Sequence, residues 1–138
     1  MAYDPQNAFA RILRNELPCF RLFEDAHTLA FMDVMPQSAG HSLVITREPA
    51  ETLFDLSPEG AAACIRTTQL VAAAVKQAFD VPGILITQVN GTAAGQTVPH
   101  VHFHVIPRRL GEPLLRHAAT RADPEQLREH AERIRRWL

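Results

Sequence analysis

Three histidines alternate with apolar residues in the run 100–108, which reads HVHFHVIPR. Strict alternation is typical of a β-strand, because successive side chains point to opposite faces of a sheet. The run therefore predicts a half-buried strand with Val101, Phe103 and Val105 toward the core and the histidines on the other face. Adjacent side chains on one face lie about 6.5–7 Å apart, so two imidazoles can bind one phosphate-sized group or one metal ion. A merely solvated polar face would not be expected to repeat one titratable residue in this way.

A metal site is the first chemistry to consider. Imidazole is a common zinc ligand, and two histidines at alternate positions of a strand can both reach one ion. All three cannot, because three positions on one face span about 13 Å. The site would need two of them and a ligand from elsewhere in the chain, for which His41 and Asp33 are candidates. A metal-dependent hydrolase is therefore one alternative, and it predicts that chelation abolishes activity.

Nucleophilic attack on phosphorus is the second chemistry. A neutral imidazole is a good nucleophile near pH 7, because the unperturbed pKa of histidine is about 6.5. Flanking histidines, and the backbone N–H groups of the glycine-containing loop 91–95, can then donate to the phosphoryl oxygens. The product of the attack is a phosphohistidine-type intermediate that water resolves without a metal. The alternating run alone is compatible with either chemistry.

The composition is that of an ordinary folded domain. The chain has 138 residues, of which 46% are hydrophobic and 21% charged, and its formal net charge is −1. This length predicts a single domain, and this charge argues against nucleic acid or an anionic membrane as a partner. No secretory signal and no apolar run of about 20 residues is present, so no membrane partner is expected. Cys19 and Cys64 do not form a C-x-x-C pattern and are expected to be reduced thiols of a cytoplasmic protein.

Five segments have the composition and alternation of strands. They are the histidine run and the segments 19–24, 28–33, 41–46 and 84–89. The first two of the chain are expected to form a hairpin. Since the strands follow one another mainly through short connections, the predicted class is α+β, with a mainly antiparallel sheet of about five strands covered by helices.

Helix starts are marked by an N-cap residue followed by proline. This signal occurs at Asp4-Pro5, Ser57-Pro58 and Asp123-Pro124, and it predicts a short first helix, a long second one reaching about Phe79 and a short last one. Spacing predicts the positions that face the core in the second and last helices: Ile65, Ala72, Val75, Phe79, Leu127, Ala131, Ile134 and Leu138. The remaining histidines are expected at the surface: His27, His117 and His130.

The run 95–108, GQTVPHVHFHVIPR, closely resembles the signature of the histidine triad (HIT) nucleotide hydrolases and transferases. The segments 29–33 and 36–45 resemble that family's ribose-binding and second-histidine segments. The likeness covers about residues 7–108 and implies a HIT-like domain over 1–138, in which 109–138 is a C-terminal extension with a helix. It also implies the chemistry of that family, which is the cleavage of a nucleoside monophosphate derivative through a nucleotidyl-histidine intermediate.

The resemblance assigns the histidines different roles. His102 matches the nucleophile that takes up the nucleoside monophosphate, with its other ring nitrogen oriented by the carbonyl of the first triad residue. His104 matches the residue that contacts the phosphate. His100 and His41 match supporting histidines.

The resemblance also assigns binding residues. Asp33 matches the carboxylate that accepts hydrogen bonds from the ribose hydroxyls, a role suited to a group that only accepts when ionised. The positions expected near the scissile phosphate and its leaving group are Asn90, Gly95, Gln96 and Thr97. The positions expected to line a base pocket, for each of which a purely core role is an equal alternative, are Phe9, Ile12, Phe31 and Ile45.

One departure from the family concerns zinc. Bacterial members often carry a structural zinc held by an N-terminal C-x-x-C, a histidine after the third strand and the first triad histidine. In this chain Asn7 and Ala10 occupy the two cysteine positions, and Pro49 occupies the position of the histidine after the third strand. We therefore expect no structural zinc, no metal in the site and no cofactor.

The resemblance and the residues together predict a metal-independent nucleotidyl hydrolase or transferase. It would cleave purine nucleoside phosphoramidates, or related nucleoside monophosphate derivatives, through a covalent nucleotidyl-histidine intermediate. A dinucleoside polyphosphate hydrolase is an alternative that keeps the chemistry, and a nucleotide-binding or interaction protein with vestigial activity is an alternative of another class. Family members form homodimers by pairing the long helix and a sheet edge, and we expect a homodimer here.

Overall fold

Five strands form one sheet in the computed structural model, which describes residues 2–138. They are β1 (Arg21–Glu24), β2 (Thr28–Met32), β3 (Ser42–Thr46), β4 (Gly83–Thr87) and β5 (His102–Arg108). Their spatial order is β1-β2-β3-β5-β4, and every neighbouring pair is antiparallel. Three α-helices accompany the sheet: α1 (Ala8–Leu13), α2 (Pro58–Phe79) and α3 (Pro124–Arg135). The predicted class and element count are confirmed, and so is the hairpin of β1 and β2.

The starts of α2 and α3 follow the proline signal. Ser57 accepts from the backbone N–H of Gly60 at the head of α2, and Asp123 does the same for Glu125 at the head of α3. The first helix begins later than predicted. Its N-cap is Asn7, because the side chain of Asp4 is used in a local turn, where it accepts from the N–H of Gln6.

One face of the sheet is covered by α2 and α3. A single buried cluster contains alternate residues of the strands together with residues of both helices, and it includes Val44, Val71, Val101, Phe103, Val105, Leu127 and Ile134. The prediction for Ile65 was wrong, since this side chain is 46% exposed. The buried stripe of α2 consists largely of small residues such as Ala63, Cys64 and Thr67, which let the helix lie close to the sheet, so hydrophobicity alone gave the wrong side.

Two predictions about the last helix and its neighbourhood also need correction. Leu138 lies beyond the end of α3 and is 39% exposed. His130 is buried rather than at the surface, because its ring packs edge-on against Phe79 at a centroid distance of 5.1 Å. Within residues 2–138, no helix is both long enough and apolar enough to cross a bilayer.

The opposite face of the sheet is covered by α1. A second buried cluster joins this helix to alternate residues of β2 and β3: Phe9, Ile12, Leu29, Phe31, Leu43 and Ile45. The histidines of the run lie on this same side, and all three are buried, with 1–3% of their surface exposed. The expectation of a half-buried strand was therefore wrong, because the histidine face is covered as well.

The histidine run enters the sheet later than its alternation predicts. The strand begins at His102, while His100 belongs to a bend in which its N–H donates to the carbonyl of Val98. The N–H of Val101 donates to the carbonyl of Ala50, outside the sheet. Consequently only His102 and His104 sit on the strand itself, opposite Ile45 and Leu43 of β3.

Candidate active site

A cavity of about 350 Å³ opens between α1, β2 and the histidine face of β5. One wall is apolar and comes mainly from the N-terminal part of the chain, where Phe9, Ile12 and Leu17 are exposed to it. Polar groups line the rest: Asp33, Thr97, His102, His104, His117 and Arg121. An apolar wall facing a few polar groups is the usual arrangement of a small-molecule site.

The ring of His102 is oriented by the backbone of its own strand. Its Nδ1 lies 2.6 Å from the carbonyl oxygen of His100. Since a carbonyl only accepts, this contact assigns the proton to Nδ1 and leaves the lone pair on Nε2. Phe9 packs edge-on against the ring at a centroid distance of 4.9 Å. The result is an imidazole held in the tautomer that a nucleophile requires.

The ring of His104 is oriented through His41. The backbone N–H of Gln37 donates to Nδ1 of His41 at 3.0 Å, which places the proton of this ring on Nε2. That Nε2 lies 2.9 Å from Nδ1 of His104, so it donates there. His104 must then carry its own proton on Nε2. The two neighbouring rings, whose centroids are 5.0 Å apart, thus have opposite roles: His102 keeps a free lone pair and His104 keeps a donor.

His100 supports the site from outside the strand. Its Nε2 donates to the carbonyl of Thr46 at 2.8 Å, and its Nδ1 accepts from the hydroxyl of Tyr3 at 2.5 Å. Both ring nitrogens are therefore satisfied, and the carbonyl of the same residue remains available to His102. Tyr3 was not singled out from the sequence, because nothing in a lone N-terminal tyrosine predicts this contact.

Burial keeps these imidazoles neutral. It lowers the pKa of His102 to about 4 and that of His104 to about 3, with a smaller contribution from the neighbouring rings. The pKa of His41 is lowered to about 3 for the same reasons, and burial also lowers the pKa of His100. A charged imidazolium is disfavoured away from water. His102 is consequently unprotonated, and nucleophilic, throughout the physiological range.

Asp33 lies at the end of β2 beside these histidines. Burial raises the pKa of its carboxyl group to about 6, although the N–H of Met35 donates to one oxygen at 2.8 Å and opposes the rise. The other oxygen is 3.4 Å from Nε2 of His41. Above pH 6 the group is a carboxylate that faces the cavity and can accept from hydroxyl groups of a ligand.

The predicted binding residues divide into two groups. Those that line the cavity are Phe9, Ile12, Phe31, Asp33 and Thr97. Those that do not are Ile45, Asn90, Gly95 and Gln96. Ile45 is fully buried in the second core cluster. Contact of any residue of the two groups with a nucleotide stays a prediction.

Asn90 and Gln96 have local partners that explain their positions. The side-chain oxygen of Asn90 accepts from the N–H of Leu53 at 2.7 Å. The amide nitrogen of Gln96 donates to the carbonyl of Glu51 at 2.7 Å, and its oxygen accepts from the N–H of Gly91. In this arrangement both side chains fix the loop that leads to the histidine run.

His117 and Arg121 are the basic lining residues to which sequence reasoning assigned no role in the site. His117 is exposed, as predicted, yet its ring packs against that of His104 at a centroid distance of 5.4 Å. Both residues come from the irregular segment between β5 and α3, where no periodicity predicts which side chain faces inward. A mildly basic composition was the one signal available there.

The capacity for metal binding is limited by the hydrogen bonds already made. Among residues 2–138, the ligand atoms of Asp33, His41 and His104 lie within 4.8 Å of one another. The nitrogens of the two histidines are joined by a hydrogen bond, so a metal would have to displace it. A structural zinc of the kind that the resemblance raised does not fit this chain, because three of its four ligand positions are Asn7, Ala10 and Pro49 and the ring nitrogens of His100 are bound to Thr46 and Tyr3.

Comparison with known proteins identifies the family. A family model described as the HIT domain matches residues 14–111. The chain belongs to the HIT domain family. The crystal structure of a HIT-like protein from Bartonella henselae superposes on 99% of this chain and 100% of its own length, with a TM-score of 0.93 and 44% identity. The likeness therefore continues through the C-terminal part, beyond the residues that the family model matches.

Several HIT relatives have enzymatic names. Adenosine 5′-monophosphoramidase hnt1 of Schizosaccharomyces pombe is 39% identical over 100 residues, which are 72% of each protein. Adenylylsulfatase HINT3 of Arabidopsis thaliana is 36% identical over 116 residues, which are 80% of this chain and 59% of that protein. Both names describe the cleavage of an adenosine monophosphate derivative.

Proposed function

We propose that this HIT protein is a nucleotide hydrolase that cleaves purine nucleoside phosphoramidates, or related nucleoside monophosphate derivatives, through a covalent intermediate on His102. The observation that carries the proposal is the pairing of tautomers in the cavity. A neutral imidazole with a free Nε2 lies beside one whose Nε2 carries a proton. The relatives named for phosphoramidate and adenylyl sulfate cleavage support the same class of substrate.

The first step is the attack of Nε2 of His102 on the α-phosphorus. A nitrogen–phosphorus bond to His102 forms as the bond from phosphorus to the leaving group breaks, and the electron pair of the broken bond departs with that group. An amine leaving group accepts a proton from water as the P–N bond breaks and departs as the neutral amine, and the hydroxide formed is neutralised by the proton that the second step releases. The Nε2–H of His104 donates to a phosphoryl oxygen, where charge increases in the transition state.

The second step is hydrolysis of the intermediate. Water attacks the phosphorus, the bond to His102 breaks, and the nucleoside monophosphate leaves while the water proton passes to solvent. The nucleotide would be held by Asp33, which accepts from the ribose hydroxyls, and by the apolar wall around Phe9 and Ile12, which covers the base. No step requires a metal.

Dinucleoside polyphosphate hydrolysis is the alternative with the same chemistry. The cavity, at about 350 Å³, lies at the low end of the range for small-molecule sites, which favours a substrate with one nucleoside inside it. Side-by-side kinetics on a nucleoside phosphoramidate and a dinucleoside polyphosphate separate these two functions.

The test is to trap labelled nucleoside monophosphate on the protein with a chelator present throughout. The wild type and a His27→Ala control, whose substitution lies in an exposed turn outside the cavity, should both become labelled and turn over substrate. His102→Ala should do neither. Absence of labelling and turnover in the wild type would overturn the proposal in favour of a binding protein, and activity only after metal addition would favour the metal-dependent alternative.

We also propose that the protein forms a homodimer. The strand β4 is at an edge of the sheet and exposes Leu85 and Ile86, and α2 exposes Ile65 and Leu70. Covering an apolar sheet edge and an apolar helix face with a second copy would remove both from water. Sedimentation should give the mass of a dimer for the wild type and of a monomer for Ile86→Lys. A monomeric wild type at micromolar concentration would contradict this proposal.

The proposed location is the cytoplasm. Cys19 and Cys64 are both free thiols, as is usual in reducing compartments. Fractionation of the source cells with detection of the protein would check it, and recovery outside the cytoplasmic fraction would contradict it.

A further inference from the structure

The segment 109–123, called here the C-terminal strap, crosses the mouth of the cavity. It is anchored on both sides of His117 by hydrogen bonds to the loop that follows β2. Leu115 exchanges two with Gln37, at 3.0 and 3.1 Å, and the N–H of Ala122 donates to the carbonyl of Val34 at 2.9 Å. The part of the strap between these anchors is therefore held over the site.

A strained turn between the anchors directs the strap inward. Ala118 has φ of +52°, in the left-handed region that costs an alanine about 1–2 kcal/mol. Such conformations persist where the surrounding structure enforces them, often at functional sites. His117, directly before Ala118, packs against His104. Arg121, three positions after Ala118, lines the cavity.

The strap supplies the positive charge of the cavity. Among the described lining residues, Arg121 is the one permanent cation and Asp33 the one carboxylate. The buried histidines are neutral, since burial lowers the pKa values of His102 and His104. His117 offers a ring N–H in either protonation state. If the substrate carries a second negative group beside the reacting phosphate, the cation that can pair with it is therefore Arg121 of the strap.

We propose that Arg121 and His117 bind the leaving group and select for an anionic one. Within the substrate range of the proposed function, mixed anhydrides of a nucleoside monophosphate with an acid such as sulfate are then cleaved faster than amides with a neutral amine, which remain substrates. This inference rests on the proposed hydrolase activity. In the favoured reaction, sulfate departs as a dianion with the electron pair of the broken P–O bond and needs no proton, and charge-assisted hydrogen bonds from the strap stabilise it.

The experiment compares two substrates that share adenosine monophosphate: adenosine 5′-phosphosulfate and an alkylamine phosphoramidate. The measured quantity is the ratio of kcat/KM for the sulfate to kcat/KM for the amide, which does not depend on the fraction of folded protein because both are measured on one preparation. We expect Arg121→Gln to lower this ratio about tenfold, because a hydrogen bond between two ions is lost. His117→Gln should lower it about threefold, because glutamine keeps an N–H donor but not the position of the ring. Arg128→Gln, which removes the same charge from α3 outside the cavity, should leave it unchanged.

Three other results would overturn the inference. An unchanged ratio in both variants would show that the strap does not contact the leaving group. A greater fall in kcat/KM for the amide than for the sulfate would show that the strap donates a proton to the amine. A rise in kcat/KM for both substrates would show that the strap hinders access to the cavity. If the wild type cleaves neither substrate, the proposed function itself fails and the inference falls with it, whereas the first three results leave that function intact.

Discussion

The two faces of β5 are buried to a similar degree, but burial has opposite consequences on them. On one face Phe103 and Val105 pack with α2 in the main core. On the other, His102 and His104 are 3% exposed and line a cavity. Apolar burial stabilises the fold, whereas burial of an imidazole removes its charged form and depresses its pKa.

The comparison shows how one strand can serve both stability and chemistry. The apolar face fixes the backbone of β5, and the carbonyl of His100 just before this strand orients the ring of His102, the proposed nucleophile, through Nδ1. On the histidine face, hydrogen bonds to Nδ1 orient the rings of His102 and His104, while the Nε2 atoms of both rings have no hydrogen-bond partner within residues 2–138. Changes on one face should therefore affect stability, and changes on the other should affect catalysis.

The largest effect is expected from Phe103→Ala. This change leaves a cavity in the main core and should lower the free energy of unfolding by about 3–5 kcal/mol, while kcat per correctly folded molecule stays within about twofold. Urea denaturation combined with active-site titration measures both. Phe103→Leu, a smaller change, serves as the second variant if the first does not fold. A collapse of kcat at unchanged stability would contradict the separation of the two faces.

His104→Gln should have the reverse effect. Loss of the Nε2–H donor to the phosphoryl group is expected to lower kcat about 10²–10³-fold, with a change in unfolding free energy below about 1 kcal/mol. Steady-state kinetics and thermal unfolding are the measurements, with His27→Gln as the exposed control. A protein that unfolds in proportion to its lost activity would show that the histidine face is mainly structural.

Acidification should destabilise the fold through the histidine face. Below about pH 6.5 the unfolded chain binds protons that the folded site excludes, so the free energy of unfolding falls as the pH drops from 6.5 toward 4. Titration of His102 alone should lower the free energy of unfolding by about 2 kcal/mol between pH 7.5 and pH 5. Asp33 opposes it, since its pKa is raised to about 6 and its contribution to stability grows as the pH falls from 6 toward 3.8.

Urea titrations at pH 7.5 and pH 5 measure this dependence. The wild type should be less stable at the lower pH, and His102→Gln, which removes one titrating group, should lose less. Equal stability of the wild type at the two values would mean that the buried histidines are protonated in the folded state.

The smallest effect is expected from Tyr3→Phe. It removes the hydroxyl that donates to Nδ1 of His100 and leaves that nitrogen without this donor. A loss of about 1 kcal/mol is typical for one hydrogen bond, which corresponds to about a fivefold fall in kcat if Tyr3 helps to orient His100 and its carbonyl. Kinetics and melting temperature are measured on the same variant. Reduced stability with unchanged kcat would limit Tyr3 to a purely structural role.

Local sequence determined much of this protein. Alternation placed Val101 and His102 on opposite faces, and proline after an N-cap residue set the starts of α2 and α3, because these signals act between residues a few positions apart. The likeness of the histidine run was enough to predict the family, which the match to residues 14–111 confirms.

Tertiary structure decided what depends on distant parts of the chain. The tautomers of His102 and His104 depend on contacts with a backbone bend and a loop, and the burial of both faces depends on which helices cover them. The positions of His117 and Arg121 follow from hydrogen bonds between the strap and the loop after β2, which no periodicity encodes. Proton positions, pKa values and the charge at the cavity mouth are properties of the folded packing, so the sequence could name candidate reactive residues without defining their protonation states.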